Sequence, residues 1–284
     1  MDVGRNCGAV LAATAVSQSV TDPLSGLVLG DVADPCPKPG WAVIRVVSSS
    51  LNMHDLWTLR GVGHPAENLP IVLGCDAAGY DEDGNAVIVY PVIGDHDAGG
   101  GDETLDPDRA LLSERHDGAF AEYLTVPRRN LVPKPDWLSF DEAACLPVAW
   151  TTAYRMLFTQ AKIKAGDRVL VQGAGGGVAS AAIKLAVAAG AVVYATSRSE
   201  TKRAEATGWG ARAVTTGAVM LETFSIRSLM IVTLVKDVSR ETSRRKTHFR
   251  VSDSTRVTGT PSMARTRPGR PPPEPRSITG PLPT

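Results

Sequence analysis

The sequence predicts an α/β chain in two parts: a β-rich unit, then the opening of a doubly wound parallel sheet that stops before it is complete. Three observations carry this. Short apolar runs broken by turn residues fill residues 8–94. A strand, a glycine turn, an alanine-rich helix and a second strand then follow over residues 169–196, the order of one βαβ unit. Beyond Gly217 that pattern ends.

The elements follow in order. GAVLA at 8–12 and LSGLVLG at 24–30 read as strands, and PCPKPG at 35–40 leads into WAVIRVV at 41–47, a Pro/Gly cluster before a β-branched run. DEDGN at 81–85 precedes AVIVYPVIG at 86–94 and reads as a hairpin or corner. Together these predict an antiparallel, barrel-like domain. Residues 95–118 are acidic, glycine-rich and aperiodic, and read as a solvated surface loop. Ser139 with Glu142 three residues on gives a helix-start signature, and TTAYRMLF at 151–158 continues the helix. VLVQ at 169–172 enters the glycine turn, a small-residue helix runs to Ala189, and AVVYAT at 191–196 is the second strand. ETKRAEAT at 200–207 is a helix with Glu200 in its first turn, and a third strand is expected near Ala213.

Composition narrows the function classes. At 284 residues the chain has room for two domains, and 43% hydrophobic with 21% charged residues is an ordinary globular balance. No window approaches the roughly 20 apolar residues of a membrane span. Nor is there a basic start followed by an apolar stretch of the secretory kind. Cys7, Cys36, Cys75 and Cys145 lack a C-x-x-C spacing, which fits a reducing, cytoplasmic setting better than a disulfide framework. Net charge is zero but unevenly spread: residues 218–284 hold 12 Lys/Arg against 5 Asp/Glu, and residues 1–217 hold 18 against 25.

The glycine turn predicts a dinucleotide. Gly173 permits the tight turn, Gly176 lets backbone approach a pyrophosphate, and Ala179 keeps helix and sheet close. The N–H groups at the helix start, over Gly175, Gly176, Gly177 and Val178, would bond that pyrophosphate. An NAD site places an acidic residue about 20 residues past the turn, to hold the ribose 2′-hydroxyl. Here the sequence reads TSRSETK at 196–202, so Ser197, Arg198 and Lys202 offer a hydroxyl and two cations. These suit a 2′-phosphate, and NADP(H) is the expected cofactor.

LNMHDL at 51–56, LGCDAAG at 73–79, DGAFAEY at 117–123, LSFDEAA at 138–144, TTAY at 151–154 and GAGGGVA at 173–179 occur in that order. Over roughly residues 9–217 the chain resembles the medium-chain dehydrogenase/reductase superfamily, and within it the zinc-independent, quinone oxidoreductase-like branch. The resemblance implies a GroES-like β-rich catalytic domain over 1–138 and a partial Rossmann domain over 139–217. It implies Asn52 near the nicotinamide ribose, His54 at the position of a proton-relay hydroxyl, and Thr152 at the nicotinamide end. His54 is the expected general acid. Where zinc-using relatives carry Cys and Gly-His-Glu, this sequence has Asn52 and Gly74-Cys75-Asp76, so no metal is expected. Cys75 reads as a buried, inert thiol, Asp55 as a loop-fixing residue, and His64, His96 and His116 as loop residues.

Residues 218–284 are rich in Pro, Arg, Ser and Thr and predict an aberrant, disordered basic tail, with LMIVTLV at 229–235 as one strand candidate. A wrong-frame product, a basic extension contacting an acidic partner, and a divergent ending all fit; a break inside a domain favours the first. Half a parallel sheet would also leave an unpaired edge. The expected function is hydride transfer between NADPH and a small carbonyl, quinone or enone. The alternatives are a nucleotide- or nucleic-acid-associated protein without turnover, an inactive remnant, and a zinc-dependent alcohol dehydrogenase. A small-molecule substrate is the expected partner, rather than membrane or nucleic acid, and homo-oligomers are known among the relatives.

Overall fold

The computed structural model describes residues 9–215, 229–235 and 248–253, with side chains through residue 212. Its first part is built from β1 (Ala9–Ala15), β2 (Leu27–Ala33), β3 (Trp41–Ser48), the short helix α1 (Met53–Leu59), β4 (Ile71–Val72), β5 (Ala77–Tyr80) and β6 (Ala86–Val89). β7 (Val92–Ile93), β8 (Ala110–Leu111), β9 (Tyr123–Pro127) and β10 (Leu131–Pro133) follow. β1 and β2 pair antiparallel, with β4 on the other side of β1, and a five-stranded sheet runs β10-β6-β5-β3-β9. Inward side chains of this sheet, among them Ile44, Val89, Leu124 and Val126, are fully buried and make its core. The turn at 81–85 is the expected hairpin between β5 and β6: the Asp81 carboxylate accepts from the backbone N–H of Asp83 and Asn85 and from the Asn85 amide.

The acidic segment 95–118 is more than a solvated loop. Its carboxylates find donors nearby, because a short chain rich in turns leaves many backbone N–H groups free. Asp106 is buried and accepts from the N–H groups of Asp95 and Asp108. Asp102 pairs with Arg155 at 2.7 Å, and Tyr90 donates its hydroxyl to Glu103. β7 and β8 bracket the segment, and Leu112 and Ser113 behind them are fully buried.

The second part opens with α2 (Phe140–Ala144), capped as expected: the Glu142 N–H donates to Ser139 Oγ and the Ser139 N–H donates to the Glu142 carboxylate. α3 (Ala149–Tyr154) continues into a wider turn over Arg155–Gln160. β11 (Arg168–Gln172), α4 (Gly177–Ala188), β12 (Val192–Thr196), α5 (Glu200–Gly208) and β13 (Ala213–Thr215) form the expected parallel unit, with β12 between β11 and β13. Val169, Val171, Val193 and Ala195 of the sheet pack against Ala181, Ala182, Ile183 and Ala186 of α4 and against Ala153, Met156 and Leu157. The many alanines let helix and sheet come close, the packing a small-residue helix dictates.

β14 (Leu229–Val235) pairs parallel with the free side of β11, and β15 (His248–Asp253) pairs antiparallel with β14, giving the order β13-β12-β11-β14-β15. Two corrections follow. The edge of β11 is paired, by the strand candidate at 229–235, and His248–Asp253, assigned to the tail, is a strand as well, because an open ladder of N–H and C=O groups can be satisfied by an extended segment of any composition. Residues 216–228, 236–247 and 254–284 lie outside the described residues, and so does the expectation of disorder there.

Candidate functional site

The glycine turn is built by backbone alone. Gly173 (φ 80°) and Gly175 (φ 103°) occupy the left-handed region that favours glycine. The turn is tied to the end of β12, where Thr196 accepts from the Ala174 N–H through its carbonyl and from the Gly173 N–H through its hydroxyl. A side chain at Gly175 would strike the aliphatic stem of Lys202, which lies across the turn. Gly176 is the N-cap of α4, offers no capping side chain, and faces open space. The N–H groups of Gly177, Val178 and Ala179 therefore have no intrahelical acceptor. Gly177 carries a second close approach, between helices: a Cβ there would touch the Ala149 side chain at 3.3 Å, so α3 lies against the start of α4. Val178 and Ala179 are half-buried against the sheet core.

A cavity of about 400 Å³ opens beside the turn, lined by Gly173, Ala174, Thr196, Ser197, Arg198, Ser199 and Lys202. Its charged lining is cationic, and Glu200 sits outside it in the first turn of α5. Among the described residues neither Arg198 nor Lys202 makes an ion pair. Arg203, which the sequence pattern passed over, holds the loop's shape by donating Nη1 to the carbonyls of Ser197 and Arg198. The donors and dimensions fit a nucleotide carrying a phosphate at this end.

At the junction of the two parts lies Asp76, 1% exposed. Its carboxylate accepts from Ser50 Oγ (2.6 Å), Asn52 Nδ2 (2.7 Å) and the Val148 N–H (2.8 Å). Burial raises its pKa above the usual carboxylate range against these donors. Asn52 is the N-cap of α1, and its own N–H donates to Asp55, whose other oxygen accepts from Gly74. Asp55 thus fixes the loop, as expected; burial raises its pKa as well. Thr152 is half-buried in α3, its N–H donating to the Val148 carbonyl.

His54 is 18% exposed and sits between two protein partners: Nδ1 is 3.2 Å from Cys75 Sγ, and Nε2 is 3.3 Å from Glu114 Oε1. Burial works to raise the Glu114 carboxyl, but the bonds from His54 and the Leu111 N–H outweigh it and hold it below the usual range. Cys75 is fully buried, and burial together with the Asp55, Asp76 and Glu114 charges pushes its thiol well up, so it stays protonated and inert. Of the three other histidines whose side chains are described, only His96 is exposed, while His64 is buried with both ring nitrogens unpartnered. Glu114 and Ser50 escape a motif search, and Asp76 is read from its motif only as a metal-ligand position, because their partners are remote in sequence.

Zinc finds a poor donor set here. His54, Asp55 and Cys75 bring one ligand atom each within 4.8 Å of one another. Both Asp55 oxygens already accept backbone N–H groups, and the thiol would have to ionise among carboxylates. At the positions of the relatives' metal ligands, Asn52 and Asp76 are committed to each other. These residues do not fit the metal.

The antiparallel β domain and the βαβ unit with its glycine turn combine a barrel-like sheet with a nucleotide-binding type of turn. The alcohol dehydrogenase GroES-like domain family matches residues 38–136. The chain is 32% identical over 225 residues to a crotonyl-CoA reductase of Streptomyces avermitilis, covering 68% of this chain and 51% of that protein. An NAD-dependent alcohol dehydrogenase structure superposes with a TM-score of 0.67 at 34% identity, over 72% of this chain and 63% of that one. The 2-octenoyl-CoA carboxylase reductase CinF of a Streptomyces species, in complex with NADP and 2-octenoyl-CoA, superposes with a TM-score of 0.65 at 28% identity, over 72% and 55%. The chain belongs to the alcohol dehydrogenase-like, medium-chain dehydrogenase/reductase superfamily, with a GroES-like and a Rossmann domain. It spans about half the length of the curated relative. Among the described residues no helix is long and apolar enough to cross a membrane.

Proposed function

We propose that this chain is an NADPH-dependent oxidoreductase of the zinc-independent, quinone oxidoreductase-like branch, acting on a small carbonyl, quinone or enone. The observation that carries the proposal is the cavity at the end of β12, where Arg198 and Lys202 stand beside the glycine turn and no carboxylate among the described residues lines the wall. A ribose 2′-hydroxyl calls for an acceptor there, and a 2′-phosphate calls for donors. The CinF complex with NADP supports this choice, while the name of the NAD-dependent alcohol dehydrogenase points the other way. The lining of this chain's own cavity supports the first.

When bound, the nicotinamide supplies the hydride, and the protein supplies position and charge. Lys202 and Arg198 neutralise the phosphate, and the free N–H groups at the start of α4 hold the pyrophosphate. Asn52 from one part and Thr152 from the other flank the nicotinamide end. His54 supplies the proton that the reduced substrate takes up, and to do so it exchanges its Glu114 or Cys75 contact for substrate. The domain boundary at 138/139 follows from this division of labour. A cytoplasmic setting accords with the free thiols of Cys36, Cys75 and Cys145.

Fluorescence titration of the purified chain with NADPH and NADH tests the proposal. NADPH should bind at least about tenfold more tightly, the worth of one or two charge-assisted hydrogen bonds. Equal affinity, or tighter NADH, would contradict it.

A further inference from the structure

We infer that Asp76 is a positioning residue that sets the distance between the two halves of the cofactor site; the inference rests on the NADPH reading above. One oxygen of this buried carboxylate takes the amide of Asn52 and the hydroxyl of Ser50, both in the β-rich part. The other takes the Val148 N–H, 72 residues away at the start of the second part. Val148 leads directly into α3, whose Ala149 lies against Gly177 at the head of α4. A continuous contact path therefore runs from Asn52 through Asp76, Val148 and Ala149 to the glycine turn. Each link is short: three hydrogen bonds of 2.6–2.8 Å, and a glycine at which a Cβ would stand 3.3 Å from the Ala149 side chain, closer than an ordinary van der Waals contact.

The carboxylate also orients Asn52. Because Asp76 can only accept while ionised, the Asn52 side chain must turn its NH₂ inward, which aims its carbonyl oxygen away from Asp76. An amide at position 76 presents one acceptor where three donors converge, so one donor would lose its partner and the junction would shift. The adenosine end is built by Arg198, Lys202 and the turn itself and stays as it is. Asp76 thus governs how a whole dinucleotide is spanned, while fragments confined to the adenosine end ignore it.

The test compares two ligands, NADPH and 2′,5′-ADP, which keeps the 2′-phosphate and lacks the nicotinamide, on wild type, Asp76→Asn and Ser50→Ala. In Asp76→Asn, affinity for NADPH should fall by about tenfold or more, as for loss of a bond to a charged group, with 2′,5′-ADP affinity within about twofold of wild type. Ser50→Ala removes one donor and leaves the carboxylate, so it should fold even if Asp76→Asn does not, with a smaller loss in the same direction. A role confined to stability would lower the melting temperature and move both ligands together, and that result overturns the inference. So does a wild type that binds NADPH no more tightly than 2′,5′-ADP, with the adenosine-end reading left standing. If the wild type binds neither ligand, the cofactor reading itself fails, and this inference with it.

Discussion

The adenosine end of the site and the domain junction solve opposite problems with charge. At the adenosine end, Arg198 and Lys202 are exposed, make no ion pair among the described residues, and stand beside backbone N–H groups without acceptors. At the junction, Asp55 and Asp76 are buried and Glu114 is half-buried, and each is bonded to donors drawn from other segments. The first arrangement keeps capacity for a ligand. The second spends its capacity inside the protein, because a buried carboxylate without donors is costly. The difference teaches where binding is to be sought and where architecture is.

The comparison can be broken most severely through the cores. Leu124 in the β-rich part and Leu157 beside the parallel sheet are both buried to within 2% exposure. Changing either to Ala should cost about 2–5 kcal/mol. If the parts unfold separately in denaturant, Leu124→Ala should shift only one transition and Leu157→Ala only the other. A single transition shifted equally by both would mean that the junction couples the parts into one unit.

The next effect is at the cavity. Arg198→Ala and Lys202→Ala should each weaken NADPH roughly tenfold, with NADH affinity unchanged, since only the phosphate loses a partner. Lys202 also lies across Gly175, so its loss should additionally relax the turn. Equal loss for both cofactors would place these cations outside the phosphate contact.

A smaller effect concerns acid. The Glu114 pKa is lowered on folding, so its hydrogen bonds from His54 and the Leu111 N–H stabilise the protein above the ordinary glutamate value and fade as the pH falls through the folded value. Glu114→Gln should therefore melt below wild type near neutrality, with the gap closing below about pH 4.5. Asp76 runs the other way. Its raised pKa favours folding only in the protonated form, a contribution that is lost as the pH rises through the folded value. A gap that widens in acid for Glu114→Gln would contradict the assignment. The smallest expected effect is that of metal: dialysis against a chelator, or added zinc, should leave the melting temperature and NADPH affinity unchanged.

Much of the fold was legible because its signals are local. The Asp81–Asn85 turn and the Ser139/Glu142 cap each involve partners within five residues of one another, the glycine turn rests on the φ values of its own glycines, and each formed as read. The placement of Glu200 in the first turn of α5 is of the same kind. What escaped depends on distance along the chain. Asp102 meets Arg155 across 53 residues, Glu114 meets His54 across 60, and Asp76 meets Val148 across 72. No spacing rule connects such positions. An acidic segment whose carboxylates are taken up by its own backbone N–H groups and one remote arginine looks, in sequence, the same as one that is solvated. His54 illustrates the limit: its residue type suggested an acid, and the structure shows both ring nitrogens already engaged, which the type alone cannot reveal. β15 was missed because nothing in its sequence marks an antiparallel neighbour for β14.

The central claim is that the glycine turn and its two cations bind NADPH. A thermal melt of the full chain with and without saturating NADPH, repeated with NADH, tests it most directly. A ligand at a hundred times its dissociation constant adds about 2.7 kcal/mol to the folded state. The account predicts a cooperative transition raised by several degrees with NADPH and by about half as much or less with NADH at the same concentration. A transition that ignores both cofactors, or rises equally with each, would contradict it.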